Sequence, residues 1–283
     1  MRFLSNVILP FLILFVQYEL VAQNKASCCQ MSSVQLFADL AKDISFAIIH
    51  ENPLPFTLKD PSGKNIKFKV SNGEDGQAYY IAGSEKSNQW IFVFHEWWGL
   101  NDYIKNEAEK LHTDFPSAHI LAIDLYDGKV AMTREDAGSF MQSAKPERLE
   151  AIIKGASEFS GKNSKIATIG WCFGGAWSHK SSIILGNKSN ACVIYYGMPV
   201  IDPKQLSNSQ APVLGLFADL DGWITPKVVD DFKKLMIENG KSIEVHSYNA
   251  VHAFANPSNA KYNNSDAEDA WVKTLTFLKK HIQ

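Results

Sequence analysis

One cysteine in this sequence has the surroundings of a catalytic nucleophile. Cys172 lies in the run Gly-Trp-Cys-Phe-Gly-Gly, between a β-branched apolar segment and a helix-length segment. In a nucleophile elbow, small residues two positions before and two positions after the nucleophile relieve crowding at a strained turn. The dipole of the following helix favours a thiolate at its N-terminus. The pattern therefore predicts a nucleophile at Cys172; the alternative is a buried cysteine at a strand end beside packing glycines.

An elbow nucleophile needs an acid on a later loop, and two aspartates are candidates. Asp219 and Asp221 both follow the apolar run at residues 213–217. Asp221 is favoured because it lies next to Gly222 in the turn, whereas Asp219 continues directly from the strand. Either residue could instead cap a helix or form a turn.

The base should be a histidine that follows the acid along the chain. Of the four histidines after Cys172, only His252 follows a predicted strand by a few residues. The order Cys172, Asp221, His252 favours His252 as the base over a loop histidine held by hydrogen bonds. The remaining three lie inside predicted helices or a strand: His179, His246 and His281.

The loop after the first central strand reads His-Glu-Trp-Trp-Gly. In an elbow architecture this loop supplies one oxyanion-hole amide and the residue after the nucleophile supplies the other. The candidates are the backbone N–H groups of Trp97 and Phe173. His95 and Glu96 could begin a zinc-protease motif, but its second histidine would fall at Gly99. The sequence therefore predicts no metal site, and it indicates no cofactor.

Apolar spacing predicts the elements that position these groups. Residues 33–51 carry apolar side chains at steps of three and four, which predicts a helix, and alternation at 66–70 and 78–81 predicts a hairpin. Continuous apolar runs then alternate with helix-length segments, which is typical of a mostly parallel sheet flanked by helices. We expect one α/β domain with an N-terminal helix and hairpin extension. Further strands are predicted at 90–94, 120–123, 166–169, 191–196, 213–217 and 243–248, and helices at 101–114, 134–142, 146–159, 175–186, 226–239 and 267–281.

Composition restricts the class of partner. The chain has 283 residues, 46% of them hydrophobic and 20% charged, so it can bury a large core. A formal charge of −2 offers no electrostatic footprint for nucleic acid or an anionic membrane. Small molecules are the expected partners, and the oligomeric state stays open.

The N-terminus has the three-part form of a secretory signal. A basic start precedes an apolar run at residues 7–16, and Ala22 is the small residue expected before cleavage. The run is too short to span a bilayer comfortably; the alternatives are a buried strand or an uncleaved anchor. Lys25 disfavours a lipoprotein site at Cys28. The sequence predicts export to the periplasm or the medium, without membrane attachment after cleavage.

Together these residues resemble the dienelactone hydrolase family, which is marked by a Gly-x-Cys-x-Gly-Gly elbow and a Glu-containing loop after the first core strand. The similarity extends from about residue 90 to the C-terminus. It implies an α/β-hydrolase fold in which Cys172 is the nucleophile and Asp221 orients the base. It further implies that His252 is that base and that Glu96 is a carboxylate beside the thiol. The expected organisation is a signal peptide, an N-terminal extension and a dienelactone-hydrolase-like domain at residues 1–22, 23–87 and 88–283.

The resemblance implies hydrolysis of a carboxylic ester or lactone, as in carboxymethylenebutenolidase, through an acyl-thioester. In the members that degrade aromatics, an arginine four residues after the histidine helps to hold the substrate carboxylate, and here that position is Asn256. Lys129 or Arg134 could replace the charge, but solvated positions suit both better. Dienelactone itself is therefore disfavoured. Aromatic residues near the motifs predict an apolar pocket, although some of them should pack in the core; the candidate substrate-binding residues are Trp98, Tyr126, Trp223 and Phe254.

Other functions remain as alternatives. A glutamine amidotransferase would need a glutamate two residues after the histidine, where this chain has Phe254. A non-catalytic binding protein of the same fold would normally lack part of the triad. A thiol- or metal-handling role could use Cys28 and Cys29, the cysteines left once Cys172 must stay reduced and Cys192 lies in a strand.

Overall fold

A computed structural model describes residues 32–71, 73–259 and 261–282. The predicted signal peptide and the pair Cys28 and Cys29 lie outside these residues. Within the described ranges, no helix has the length and apolar character needed to cross a membrane.

An eight-stranded sheet forms the centre of the fold, in the order β1-β2-β4-β3-β5-β6-β7-β8. Strands β3 to β8 pair in parallel, whereas β2 runs antiparallel to both β1 and β4. Each predicted strand is confirmed within about two residues at either end, well inside the usual uncertainty of strand boundaries. The strands are β1 (Lys64–Phe68), β2 (Gly76–Ile81), β3 (Gln89–Phe94), β4 (His119–Asp124), β5 (Lys165–Trp171), β6 (Ser189–Tyr195), β7 (Val213–Ala218) and β8 (Ile243–Tyr248).

Helices cover the sheet, which explains the uninterrupted apolar strands. Ile91, Phe92 and Val93 of β3 are all fully buried, as expected for a strand packed on both faces. This architecture confirms the predicted α/β fold. The helices are α1 (Ser33–Asp39), α2 (Ile44–Ile49), α3 (Asp102–Asp114), α4 (Arg134–Ser143), α5 (Pro146–Phe159), α6 (Phe173–Leu185), α7 (Pro203–Leu206), α8 (Pro226–Glu238) and α9 (Asn264–Ile282).

The single helix predicted at residues 33–51 is wrong in one respect. A 3-10 turn at Leu40–Lys42 separates α1 from α2. The carboxylate of Asp43 accepts the N–H of Ser45, and this cap begins a second helix. Ile44 and Ile48, which the periodicity assigned to the apolar face, are consequently 76% and 60% exposed. We call residues 32–50 the cover segment.

The predicted hairpin is present as β1 and β2, and it belongs to the central sheet because β2 pairs with β4. The boundary between an extension and a hydrolase domain at residue 87 stays a prediction.

Candidate active site

Cys172 occupies a strained turn between β5 and α6. Its backbone has φ +56° and ψ −119°, a conformation rare for residues with a side chain. A Cβ atom on Gly170 would lie 2.1 Å from the carbonyl oxygen of Gly174, and one on Gly174 would lie 2.3 Å from that of Phe94. Only glycine fits at either position, so the two glycines allow the tight strand-to-helix turn that presents the thiol.

A histidine and an aspartate lie in line with the thiol. The Nε2 atom of His252 is 3.4 Å from Sγ of Cys172, and its Nδ1 atom is 2.6 Å from Oδ2 of Asp221. Asp221 follows β7 and His252 follows β8, so the carboxyl ends of neighbouring parallel strands bring them together. The three groups that the sequence put in one order along the chain are therefore adjacent in space.

Asp221 is held as a charged acceptor. Its Oδ1 atom accepts the backbone N–H groups of Trp223 at 2.9 Å and Ile224 at 3.0 Å. Burial raises the pKa of the carboxyl, but the neighbouring His252 and these hydrogen bonds outweigh burial, so the pKa lies below its ordinary value. Asp219, the other candidate acid, is exposed.

The thiol of Cys172 is fully buried, and its surroundings favour the protonated form. Burial raises its pKa most, and the negative charges of Glu96 and Asp221 raise it further. The backbone N–H groups of Phe173 and Trp97 lie against the sulfur and act in the opposite direction. The two amides that the sequence named as oxyanion donors therefore meet at the reactive atom.

Glu96 is itself buried, and burial raises its pKa to about 8. The hydroxyl of Tyr196 donates to its Oε1 atom at 3.3 Å, and the amide of Asn256 donates to its Oε2 atom. These hydrogen bonds lower the pKa without cancelling the effect of burial. Glu96 is consequently protonated at neutral pH and becomes a carboxylate only in alkaline solution.

A second imidazole, which the sequence did not indicate, lies at the same sulfur. His50, at the end of the cover segment, is 2% exposed and places Nε2 at 3.9 Å from Sγ of Cys172. Its Nδ1 atom lies 2.7 Å from the carbonyl oxygen of Phe46. Burial, followed by the nearby His252, lowers the pKa of His50 to about 3. No spacing rule links residue 50 to residue 172, so sequence patterns carry no signal for this contact.

Phe46 of the cover segment packs against three aromatic rings around the thiol. Its fully buried ring lies 5.5 Å from the ring of Trp97, 5.2 Å from Trp223 and 5.6 Å from His252, measured between centroids. The indole N–H of Trp223 donates to Asp43 at 2.9 Å, which ties the segment to the loop after β7. The cover segment therefore packs directly on the residues around the thiol.

The aromatic residues predicted to bind substrate differ in their surroundings. Tyr126 packs on Phe173 at 5.6 Å, and burial together with the nearby Cys172 raises its pKa. Trp223 is half-buried 6.1 Å from the ring of His252. The other two predicted residues lie deeper: Trp98 packs 5.0 Å from Trp97, and Phe254 packs between Tyr196 and Tyr248.

Two cavities lie beside the site, one bounded by Phe173 and the other by Tyr126. A cavity of about 450 Å³ is bounded by Phe173 and Trp177 on α6 and by α1 of the cover segment. A smaller one, of about 200 Å³, is bounded by Tyr126 and by Lys129, whose exposed ammonium lies over the ring of Phe140. The first cavity adjoins Phe173, whose backbone N–H lies against the sulfur, and the second adjoins Tyr126, which packs on Phe173. Arg134 begins α4, where its backbone N–H donates to Asn52.

Comparisons with known proteins agree with this architecture. The sequence model of the dienelactone hydrolase family matches residues 77–282. "Protein usf" of Aquifex pyrophilus is 29% identical over 231 residues, covering 78% of this chain and 99% of the relative. A putative carboxymethylenebutenolidase of Aquifex aeolicus is 26% identical over 232 residues, covering 78% and 100%.

Solved structures show the same fold. A putative dienelactone hydrolase from Klebsiella pneumoniae superposes with a TM-score of 0.66 at 19% identity, over 77% of this chain and 99% of that one. A dienelactone hydrolase-like promiscuous phosphotriesterase from metagenomic libraries gives 0.67 at 20% identity, over 78% and 100%. The chain therefore belongs to the dienelactone hydrolase family and is an ester- or lactone-hydrolysing enzyme of the α/β-hydrolase fold.

Proposed function

We propose that this enzyme cleaves its ester or lactone through Cys172 as nucleophile, His252 as base and Asp221 as the group that orients the base. The observation that carries the proposal is the line of contacts from Asp221 Oδ2 to His252 Nδ1 at 2.6 Å and from His252 Nε2 to Cys172 Sγ at 3.4 Å. Asp221 accepts a hydrogen bond from Nδ1–H of His252, which leaves the lone pair of Nε2 facing the thiol.

Acylation begins with a protonated thiol, because burial holds the pKa of Cys172 high. As the sulfur attacks the carbonyl carbon, the thiol proton moves to Nε2 of His252. The carbonyl oxygen takes the negative charge and receives hydrogen bonds from the backbone N–H groups of Trp97 and Phe173. When the C–O bond breaks, the imidazolium of His252 returns the proton to the leaving alcohol. An acyl-thioester on Cys172 remains.

Deacylation uses the same groups with water in place of the alcohol. His252 removes a proton from water as the oxygen attacks the thioester carbonyl, and the same two amides hold the oxyanion. The C–S bond then breaks, the carboxylic acid leaves, and the proton on His252 returns to the sulfur. Asp221 stabilises the imidazolium in both halves of the cycle.

Glu96 modulates the thiol in this proposal. Since its pKa is about 8, it is neutral at neutral pH and adds a negative charge beside the sulfur only in alkaline solution. A charged Glu96 disfavours the thiolate, so it keeps the resting thiol protonated there.

Asn256 supports a substrate without a carboxylate near Glu96. Its side-chain amide donates to Glu96, in the position where aromatic-degrading members carry an arginine. An amide offers no positive charge to a substrate anion. Neutral esters and lactones therefore fit this part of the site better than dienelactone does, and their kcat/KM should exceed that of carboxylate-bearing analogues of equal size.

The test of the mechanism is a comparison of two cysteine variants. With p-nitrophenyl esters and a panel of lactones, Cys172→Ala should lose at least ~10³-fold in kcat/KM. Cys192→Ala is the matched control, because Cys192 is also a buried free cysteine but lies in β6. Mass spectrometry of rapidly quenched wild type should show an acyl adduct that Cys172→Ala lacks. Equal hydrolysis by wild type and Cys172→Ala would refute the mechanism.

A further inference from the structure

Three potential metal ligands converge inside the covered site. One potential ligand atom from each of His50, Cys172 and His252 lies within 4.8 Å of the other two, and all three residues are buried. The two sulfur-to-nitrogen distances are 3.9 Å and 3.4 Å. Around a tetrahedral zinc ion, with Zn–S of about 2.3 Å and Zn–N of about 2.0–2.1 Å, sulfur and nitrogen ligands lie about 3.5 Å apart. The two sulfur-to-nitrogen distances require shifts of only a few tenths of an ångström, and the two nitrogens, which lie within 4.8 Å of each other, must come to about 3.3 Å.

Both imidazoles are oriented as metal ligands are. In each ring the Nδ1–H group faces an oxygen acceptor, which is the carbonyl of Phe46 for His50 and the carboxylate of Asp221 for His252. Such partners fix the tautomer and leave the lone pair of Nε2 free for a metal.

The cluster has fewer hydrogen atoms than hydrogen-bond acceptors. A thiol has one S–H, whereas two Nε2 lone pairs face it, so one buried acceptor lacks a hydrogen atom. The hydrolytic mechanism uses His252 alone and leaves His50 without a role. A cation between the three atoms satisfies both nitrogens and the sulfur together.

We propose that His50, Cys172 and His252 form a zinc site, and that zinc bound there withdraws both the nucleophile and the base from hydrolysis. Binding converts the thiol to a zinc-bound thiolate and releases one proton to solvent, with no change of oxidation state. One thiolate and two imidazoles suit zinc, and three protein ligands leave a fourth position open to water. Since His50 belongs to the cover segment, the ion also joins that segment to the core.

The first experiment measures binding without any assay of hydrolysis. Full-length, tag-free protein is stripped with a chelator and titrated with Co²⁺ as a spectroscopic substitute for zinc, and zinc content is measured after gel filtration. Wild type should take up one ion per chain and show a thiolate-to-cobalt charge-transfer band with intense visible bands. Cys172→Ser should lose the charge-transfer band, and His50→Ala should bind zinc at least about tenfold more weakly. His246→Ala is the matched control, since His246 lies on β8 beside Glu244.

Each contrary result is decisive. A charge-transfer band that persists in Cys172→Ser assigns the ion to other cysteines, and unchanged affinity in His50→Ala removes the cover segment from the site; either overturns the proposal. Copper binding without zinc binding overturns the assignment to zinc. Thermal melts establish whether each variant is folded. If His50→Ala does not fold, the test is repeated with His50→Gln, whose side chain is closer in volume to histidine.

Inhibition is measured separately. Zinc should abolish hydrolysis of p-nitrophenyl acetate by wild type and a chelator should restore it, while His50→Ala, relative to its own metal-free rate, should need at least about tenfold more zinc. If the protein proves inactive on esters, the cobalt spectrum still decides the metal site. If fully zinc-loaded wild type hydrolyses the ester at an undiminished rate, the proposal that zinc inhibits hydrolysis is wrong.

Discussion

Two regions meet at the sulfur of Cys172, and they are held in different ways. The loops at the carboxyl ends of β5, β7 and β8 are fixed largely by the backbone: glycines permit the elbow at Cys172, and two N–H groups hold Asp221. The cover segment is held mainly by side chains, with the ring of Phe46 and the imidazole of His50 inserted among core aromatics.

The difference also lies in the helices. The cover segment consists of helices of seven and six residues, which are too short to be stable in water without tertiary packing. The elbow helix α6 has 13 residues, most of them buried. Regions with few stabilising contacts open at lower free energy than the rest of a protein. The comparison therefore separates two hypotheses to test: that the core supplies the reacting groups of the proposed mechanism, and that the cover segment controls access to a fully buried thiol.

The largest expected effect lies in the core. Asp221→Asn should lower kcat by about 10⁴-fold, because an amide in this position favours the wrong tautomer of His252 and cannot stabilise its cation. Steady-state kinetics with a p-nitrophenyl ester measure the loss. Asp219→Asn is the control, since Asp219 is exposed, and its kcat should stay close to that of wild type. Equal losses in the two variants would contradict the assignment of Asp221.

A substitution in the cover segment should have a smaller effect, and it should make Cys172 more reactive rather than less. Phe46→Ala removes a fully buried ring, whose contacts contribute about 3 kcal/mol. If this loss weakens only the closed position of the cover segment, the fraction of molecules in which the segment is open rises about 10²-fold. Alkylation of Cys172 by iodoacetamide should accelerate by that factor. Phe232→Ala removes an equally buried ring on α8 and should lower stability without this acceleration. Similar alkylation rates in the two variants would mean that the cover segment does not control access.

The sequence predicted the core far better than the cover. Strands, elbow and the order of Cys172, Asp221 and His252 follow from local patterns, because parallel strands and tight turns impose periodicity and glycine at defined positions. The apolar period continues unbroken across the junction of α1 and α2, so it gives no sign of the Asp43 cap that begins α2. The approach of His50 to Cys172 joins residues 122 positions apart and depends on the packing of rings, which leaves no pattern in the sequence.

A third effect tests the electrostatics of the core independently of access. Because the pKa of Glu96 is about 8, its charge opposes the Cys172 thiolate only above that pH. Glu96→Gln removes the charge, so the thiol pKa should fall by about one unit and alkylation above pH ~8 should be up to tenfold faster. Below that pH the two proteins should react alike. The measurement is the rate of alkylation against pH.

The control for this experiment is Glu109→Gln, which removes a carboxyl on helix α3 that is not among the groups raising the pKa of Glu96 or of Cys172. Its alkylation curve should follow that of wild type. Superimposable curves for Glu96→Gln and wild type would exclude a role for Glu96 at the thiol.

The smallest effect concerns the hydrogen bond from Trp223 to Asp43, which joins the two regions. Trp223→Phe keeps the ring beside Phe46 but removes the N–H that donates to Asp43, so alkylation of Cys172 should rise only about two- to fivefold.

The hydroxyl of Ser45 and then the indole N–H of Trp223 lower the pKa of Asp43 from 3.8 to about 2. Ser45 belongs to the cover segment itself, so only the contribution of Trp223 depends on closure; it stabilises the closed form while Asp43 is charged and is lost as acid protonates the carboxyl. Acid should therefore open wild type more than it opens Trp223→Phe. In an Asp43→Ala background the tryptophan substitution should add nothing, because the hydrogen bond is already absent. If the two substitutions are instead additive, Asp43 and Trp223 act independently, and their hydrogen bond does not hold the cover segment in place.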